Sequence, residues 1–152
     1  MPSQPSSPDL AHLLSHAERR LVHRLAATLA EEDCTVEEWR VLSAVADGGG
    51  HAMSEIADHA LMPPPSLTKL VDRMVAGNLV YRRPDPHDRR RVLVYLSSRG
   101  RILHQRAAHR VHADQVRLLD RPGELHELAR LLPLLTAAVD DLPAAAPVGP
   151  QH

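Results

Sequence analysis

Three arginines in succession stand behind an acid in Asp88-Arg89-Arg90-Arg91. Guanidiniums gathered on one short loop bind polyanions, and arginine suits the narrow groove of duplex DNA, where the potential is most negative. An acid two residues before an arginine can pair with it, so Asp88 is expected to hold Arg90 extended. A second set, Ser66, Thr68, Lys69 and Arg73, brings two hydroxyls and two cations into one short stretch. Such groups approach base edges and phosphates. Pro64 and Pro65, just before them, offer apolar rings that suit thymine methyls. Ser54 is a further candidate for a phosphate contact.

The charge distribution supports a polyanion partner. The 152 residues carry a formal net charge of −1, but residues 1–65 hold four arginines and ten acids, a net of −6. Residues 66–110 hold eleven Lys/Arg and three acids, a net of +8, and residues 111–152 return to −3. One strongly basic segment in a near-neutral chain is the footprint of nucleic-acid binding. Chemistry of other kinds lacks its signature. There is no Gly-rich phosphate loop, nucleophile motif or metal pair, so neither an enzyme nor a bound cofactor is expected. Among the eleven histidines, His109 and His112 lie three apart on one predicted helix, with Glu38 and His104 on other elements. No Cys/His cluster has metal-ligand spacing, and no metal site is expected. Cys34 is the single cysteine, which excludes an intrachain disulfide, and it reads as a buried thiol.

The elements that must position these residues follow from periodicity. Residues 1–8 and 143–152 read as disordered tails around one folded domain over 9–142. The N-terminus has neither a basic start nor an apolar stretch, and no apolar run approaches the roughly 20 residues of a membrane span, so a cytoplasmic protein without membrane contact is expected. Leu10, Leu13, Leu14, Ala17, Leu21, Val22, Leu25 and Leu29 give a helix of about six turns. Thr35 with Glu38 forms a capping box for a second helix. Met53–Ala60 is a short helix. A fourth helix starts among Pro63-Pro64-Pro65, where proline is tolerated, and buries Leu67, Leu70, Val71, Met74 and Val75. Gly77-Asn78 closes it. Leu79–Arg83 and Val92–Leu96 are strands of a β-hairpin around a charged, proline-broken turn. A long helix opens at Ser97 or Ser98, and a last helix carries Leu125 to Leu135, with Pro133 expected to kink it or end it early. The fold class is mainly α (α+β): a winged helix-turn-helix with a two-stranded hairpin wing.

Five pieces in order carry a family resemblance. They are Glu38-Trp39-Arg40-Val41-Leu42, Met53-Ser54-Glu55-Ile56-Ala57, Ser66 to Met74, Leu79-Val80, and Asp85-Pro86-His87-Asp88-Arg89-Arg90-Arg91 running on to Leu96-Ser97-Ser98-Arg99-Gly100. Together they resemble the MarR family of transcriptional regulators over about residues 10–140. The resemblance implies a triangular homodimer, with dimerisation helices in 9–33 and 98–142 and a DNA-binding lobe in 35–97. It implies a pseudo-palindromic operator and a repressor relieved by a small-molecule ligand. The chain departs from the family pattern at Asn78, often glycine, at the triple proline, and at Ala52, where a capping hydroxyl is common.

Ligands in this family lie between the dimer-forming helices and the DNA-binding lobe, which points to His16, Arg19, His23, Trp39 and Arg40. An arginine and a histidine over an indole suit an aromatic or anionic ligand. The alternatives are a winged-helix module that binds protein rather than specific DNA, and a zinc- or thiol-based sensor variant of the regulator.

Overall fold

The computed structural model describes residues 9–120 and 123–143. The expected tails lie outside them apart from Pro143, as does Arg121-Pro122. The elements are α1 (Leu10–Ala30), α2 (Val36–Ala44), β1 (His51–Ala52), α3 (Met53–Ala60), α4 (Pro64–Ala76), β2 (Val80–Pro84), β3 (Val92–Leu96), α5 (Ser98–Leu119) and α6 (Glu124–Asp141). They fall into two compact units, and the division lies inside α5, after His112.

Local chemistry sets the helix ends in the first unit. The Asp9 carboxylate caps α1 by accepting the His12 N–H. At α2 the Thr35 hydroxyl accepts the Glu38 N–H at 3.1 Å, and the Glu38 carboxylate accepts the Thr35 N–H at 2.9 Å, a complete capping box. At α3 only half of that device exists. Ala52 has no side-chain oxygen, and Glu55 reaches back to accept the Ala52 N–H at 3.0 Å. Asn78 takes the left-handed conformation (φ 55°) that closes α4, with Leu79 N–H donating to Met74 and Asn78 N–H to Val75. Asparagine tolerates this region well, so the departure from glycine costs little.

The core is aliphatic, as a chain without phenylalanine requires. Leu29, Val41, Leu42, Val45, Ile56, Leu67, Val71, Met74, Val80 and Val94 are all fully buried. Burying a side chain of this size contributes about 1.5–3 kcal/mol. The hairpin is part of a three-stranded antiparallel sheet in the order β1-β3-β2, so the expected two-stranded wing gains a short third strand. His51 pairs with Val94 and Ala52 with Leu93. In the hairpin Val80 faces Leu96 and Pro84 faces Val92. Pro84 is tolerated because β2 is an edge strand.

The start of α5 is pinned to the end of α4. The Ser97 hydroxyl lies 2.6 Å from the Asn78 carbonyl and accepts the Gly100 N–H at 2.9 Å. Gly100 packs so closely that a Cβ would sit 1.9 Å from the Leu79 carbonyl oxygen. Farther along, Arg106 and Arg110 both pair with the buried Glu32, and Arg110 also with Glu31, joining α5 to the end of α1. The Arg110 contact, helped by Arg106, holds the Glu32 carboxyl below the usual carboxylate range against the opposing effect of burial.

In the second unit, α6 has no fully buried residue, and Leu128, Leu131, Leu132, Leu134 and Val139 are exposed. The helix does not end early at Pro133 but continues to Asp141. The bond that proline removes would have gone to the carbonyl of Ala129, an exposed residue, where water can take its place.

Candidate nucleic-acid interface

Helix α4 buries Leu67, Leu70, Val71 and Met74 and leaves Ser66, Thr68, Lys69, Asp72 and Arg73 exposed. Residues 65, 69 and 73 fall one turn apart, so Pro65, Lys69 and Arg73 share a strip along the helix. Thr68 donates its hydroxyl to the Pro64 carbonyl at 3.0 Å, which leaves the oxygen as an acceptor only. Among the described residues, no ion-pair partner meets Lys69 or Arg73. Asp72, by contrast, holds Arg82 of β2 at 2.7 Å and ties α4 to the hairpin.

The proline start of α4 has a consequence for phosphate binding. A recognition helix ordinarily offers unpaired backbone N–H groups to a phosphate. Here Pro63 is the N-cap and Pro64 and Pro65 are the first two helical residues, so none of the three has an N–H.

The wing tip is an ordered loop. Asp85 N–H donates to the Arg91 carbonyl, and the Asp85 carboxylate accepts the His87 N–H at 2.8 Å. The Asp88 carboxylate accepts the backbone N–H of Arg90 at 3.1 Å. This corrects the expected pairing: Asp88 acts on the backbone of Arg90, not on its guanidinium. Arg89 and Arg90 are exposed at the tip, and no ion pair engages either among the described residues. Arg91 turns back instead, 3.8 Å from Glu55 of α3 and 3.9 Å from Asp85. Ser54, next to Glu55, is exposed at the start of α3.

The stalk of the wing carries features that sequence reading missed. Tyr81 and Tyr95 stack at 5.4 Å, and the Arg83 guanidinium lies 5.1 Å over the Tyr81 ring. Gly50 lies against Tyr95 at φ +73°, where a Cβ would be 2.3 Å from the ring. The run Gly48-Gly49-Gly50 was the available signal, but it reads as a helix end unless the ring it meets is known. At its start, Asp47 bridges to His51 at 2.8 Å and accepts the Gly49 N–H, and chiefly that N–H lowers its pKa. The partners Asp72–Arg82 and Glu55–Arg91 lie far apart in sequence and have no local signature.

The candidate ligand residues are only partly gathered. His16, Arg19 and His23 are exposed on α1, whereas Trp39 and Arg40 are half-buried on α2. The ring over the indole is His104 of α5, with centroids 5.1 Å apart and planes 11° from parallel, rather than a histidine of α1. Burial lowers the His104 pKa and favours the neutral ring. Burial also pushes the Cys34 thiol up to about 12, with the Glu38 charge adding to the effect, so it stays protonated near neutral pH. Among the described residues no group of three His, Cys, Asp or Glu could hold a metal ion.

Residues 32–91 match the model of the MarR family, a span that holds α2 to α4 and the wing through Arg91. Over these residues the chain is similar to the MarR family. Among similar proteins is the HTH-type transcriptional regulator FarR of Neisseria gonorrhoeae, 29% identical over 105 residues, which are 69% of this chain and 72% of that one. The HTH-type transcriptional repressor IacR of Pseudomonas putida is 32% identical over 87 residues, and the match spans 57% of this chain and about half (52%) of IacR. Among solved structures, CouR from Rhodococcus jostii RHA1 bound to p-coumaroyl-CoA is similar with a TM-score of 0.78 at 25% identity, covering 92% of this chain and 98% of that one. The relatives that the winged helix of this chain resembles are named as transcriptional regulators.

Proposed function

We propose that this chain is a MarR-family protein: a homodimeric, sequence-specific double-stranded DNA-binding regulator, a repressor in the cytoplasm whose grip a small aromatic or anionic ligand relieves. The observation that carries the reading is a set of exposed cations without ion-pair partners among the described residues, Lys69 and Arg73 on α4 and Arg89 and Arg90 on the wing tip. Neighbouring Arg82 and Arg91 are engaged by acids and serve the stalk. In the complex Ser66, Thr68 and Lys69 approach base edges beside Pro64 and Pro65. Arg73, Arg89 and Ser54 contact phosphate, and Arg90 enters the minor groove from the loop that Asp88 shapes.

Two further elements complete the reading. Leu10, Leu13 and Leu21 of α1, and separately the leucines of α6, are exposed apolar surfaces of the kind a second copy covers. The ligand sits near Trp39 and Arg40, with His16, Arg19 and His23 as further contacts, and CouR with its bound p-coumaroyl-CoA supports a ligand of this type. Selection of duplexes from a random library, with the mass of the resulting complex, tests the reading. An enriched inverted repeat bound by two chains is expected. No enrichment, or a single site bound by one chain, would overturn it.

A further inference from the structure

The three prolines that open α4 bear on which bases the proposed interface reads, an inference that rests on the DNA-binding reading above. Pro63, Pro64 and Pro65 are all exposed, and the first amide N–H the helix offers is that of Ser66. The first turn is also closed on itself, with the Pro63 carbonyl accepting the Leu67 N–H and the Pro64 carbonyl accepting the Thr68 hydroxyl, both at 3.0 Å. The end of the helix is therefore a poor phosphate cradle and an apolar edge. Phosphate anchoring on this helix passes to Arg73, at the far end of the strip that runs from Pro65 through Lys69.

We infer that Pro64 and Pro65 read the 5-methyl group of thymine, so that each half-site is distinguished by a methylated pyrimidine where α4 enters the major groove. The thymine methyl is the apolar group that a base pair presents there, and the other major-groove features are hydrogen-bond donors and acceptors that a prolyl ring cannot satisfy. The cations behind the rings fix the depth of entry: the rings and Lys69 toward the base edges, Arg73 toward the backbone.

Deoxyuridine removes that methyl and leaves the hydrogen-bonding edge unchanged. With the duplex recovered by selection, replacing half-site thymines one at a time should weaken wild-type binding about three- to fivefold at each covered methyl. Pro64→Ala and Pro65→Ala restore an amide N–H and keep a residue the helix accepts. In the double variant the thymine-over-uracil ratio should fall to near one, while affinity for the uracil duplex is held or rises. Misfolding would lower both affinities and leave the ratio in place, so the ratio separates the two causes. Equal binding of thymine and uracil duplexes at every half-site position, or a ratio that survives in the double variant, would overturn the inference and leave the DNA reading standing. If no duplex is bound, both fall.

Discussion

The carboxylate of Asp88 ends on a backbone N–H, whereas that of Asp72 ends on a guanidinium. The difference sets what each substitution does. Asparagine at 88 keeps the oxygen that accepts the Arg90 N–H, so Asp88→Asn should bind DNA as the wild type does. Asp88→Ala loses the bond and should weaken binding by about 0.5–1.5 kcal/mol, read by fluorescence anisotropy. Equal losses in the two variants would mean that the charge, and hence the guanidinium, matters after all. His104 carries a second prediction. Its pKa lies below the ordinary 6.5 because the ring, stacked on Trp39, is half-buried. Above about 6.5 the ring is neutral in both folded and unfolded chains, and its contribution to stability is whole. As pH falls below that value the unfolded chain takes the proton first, and stability is lost until the folded pKa is passed. The urea midpoint should therefore drop between pH 7 and pH 5, and drop less in His104→Phe, which keeps an aromatic partner for the indole. An identical drop in both would remove His104 from the account.

Elements were legible where one local rule decides them. The box of Thr35 and Glu38, the short helix Met53–Ala60 and the strand Val92–Leu96 appear at the residues their sequence patterns mark. The two-residue strand β1 was not legible, since His51 and Ala52 become a strand only by pairing with Val94 and Leu93, more than forty residues on. The opening of α4 was read correctly as a proline start, but its consequence, the loss of the N–H groups, came into view only once N-cap and first turn were assigned. Among candidate site residues, types and spacing marked the cations, whereas tertiary partners decide which of them are engaged, as with Arg91 on Glu55 and Asp85. The junction of α4 and α5 carries the firmest prediction at this scale. Gly100 leaves no room for a methyl group against the Leu79 carbonyl, and that obstacle is backbone rather than a flexible side chain. Gly100→Ala should cost about 3 kcal/mol or more, seen as a lower thermal midpoint. A midpoint within a degree of wild type would contradict the packing described.

Over the whole chain, the acidic first part, basic middle and acidic end together come near to neutrality, so the total charge gives no sign of the partner and the +8 of residues 66–110 does. That segment supplies the outer face of α4, the wing and the first half of α5. The central claim is that this segment holds DNA by neutralising phosphates and by one inserted arginine. The most direct test is fluorescence anisotropy on the selected duplex and on random DNA of equal length, at two salt concentrations, with wild type and Arg90→Ala. The account predicts wild-type affinity that prefers the selected duplex and falls steeply as salt rises. It predicts a loss of about tenfold for Arg90→Ala on the selected duplex. Absence of binding to either duplex at low salt, or affinity indifferent to both salt and Arg90, would contradict it.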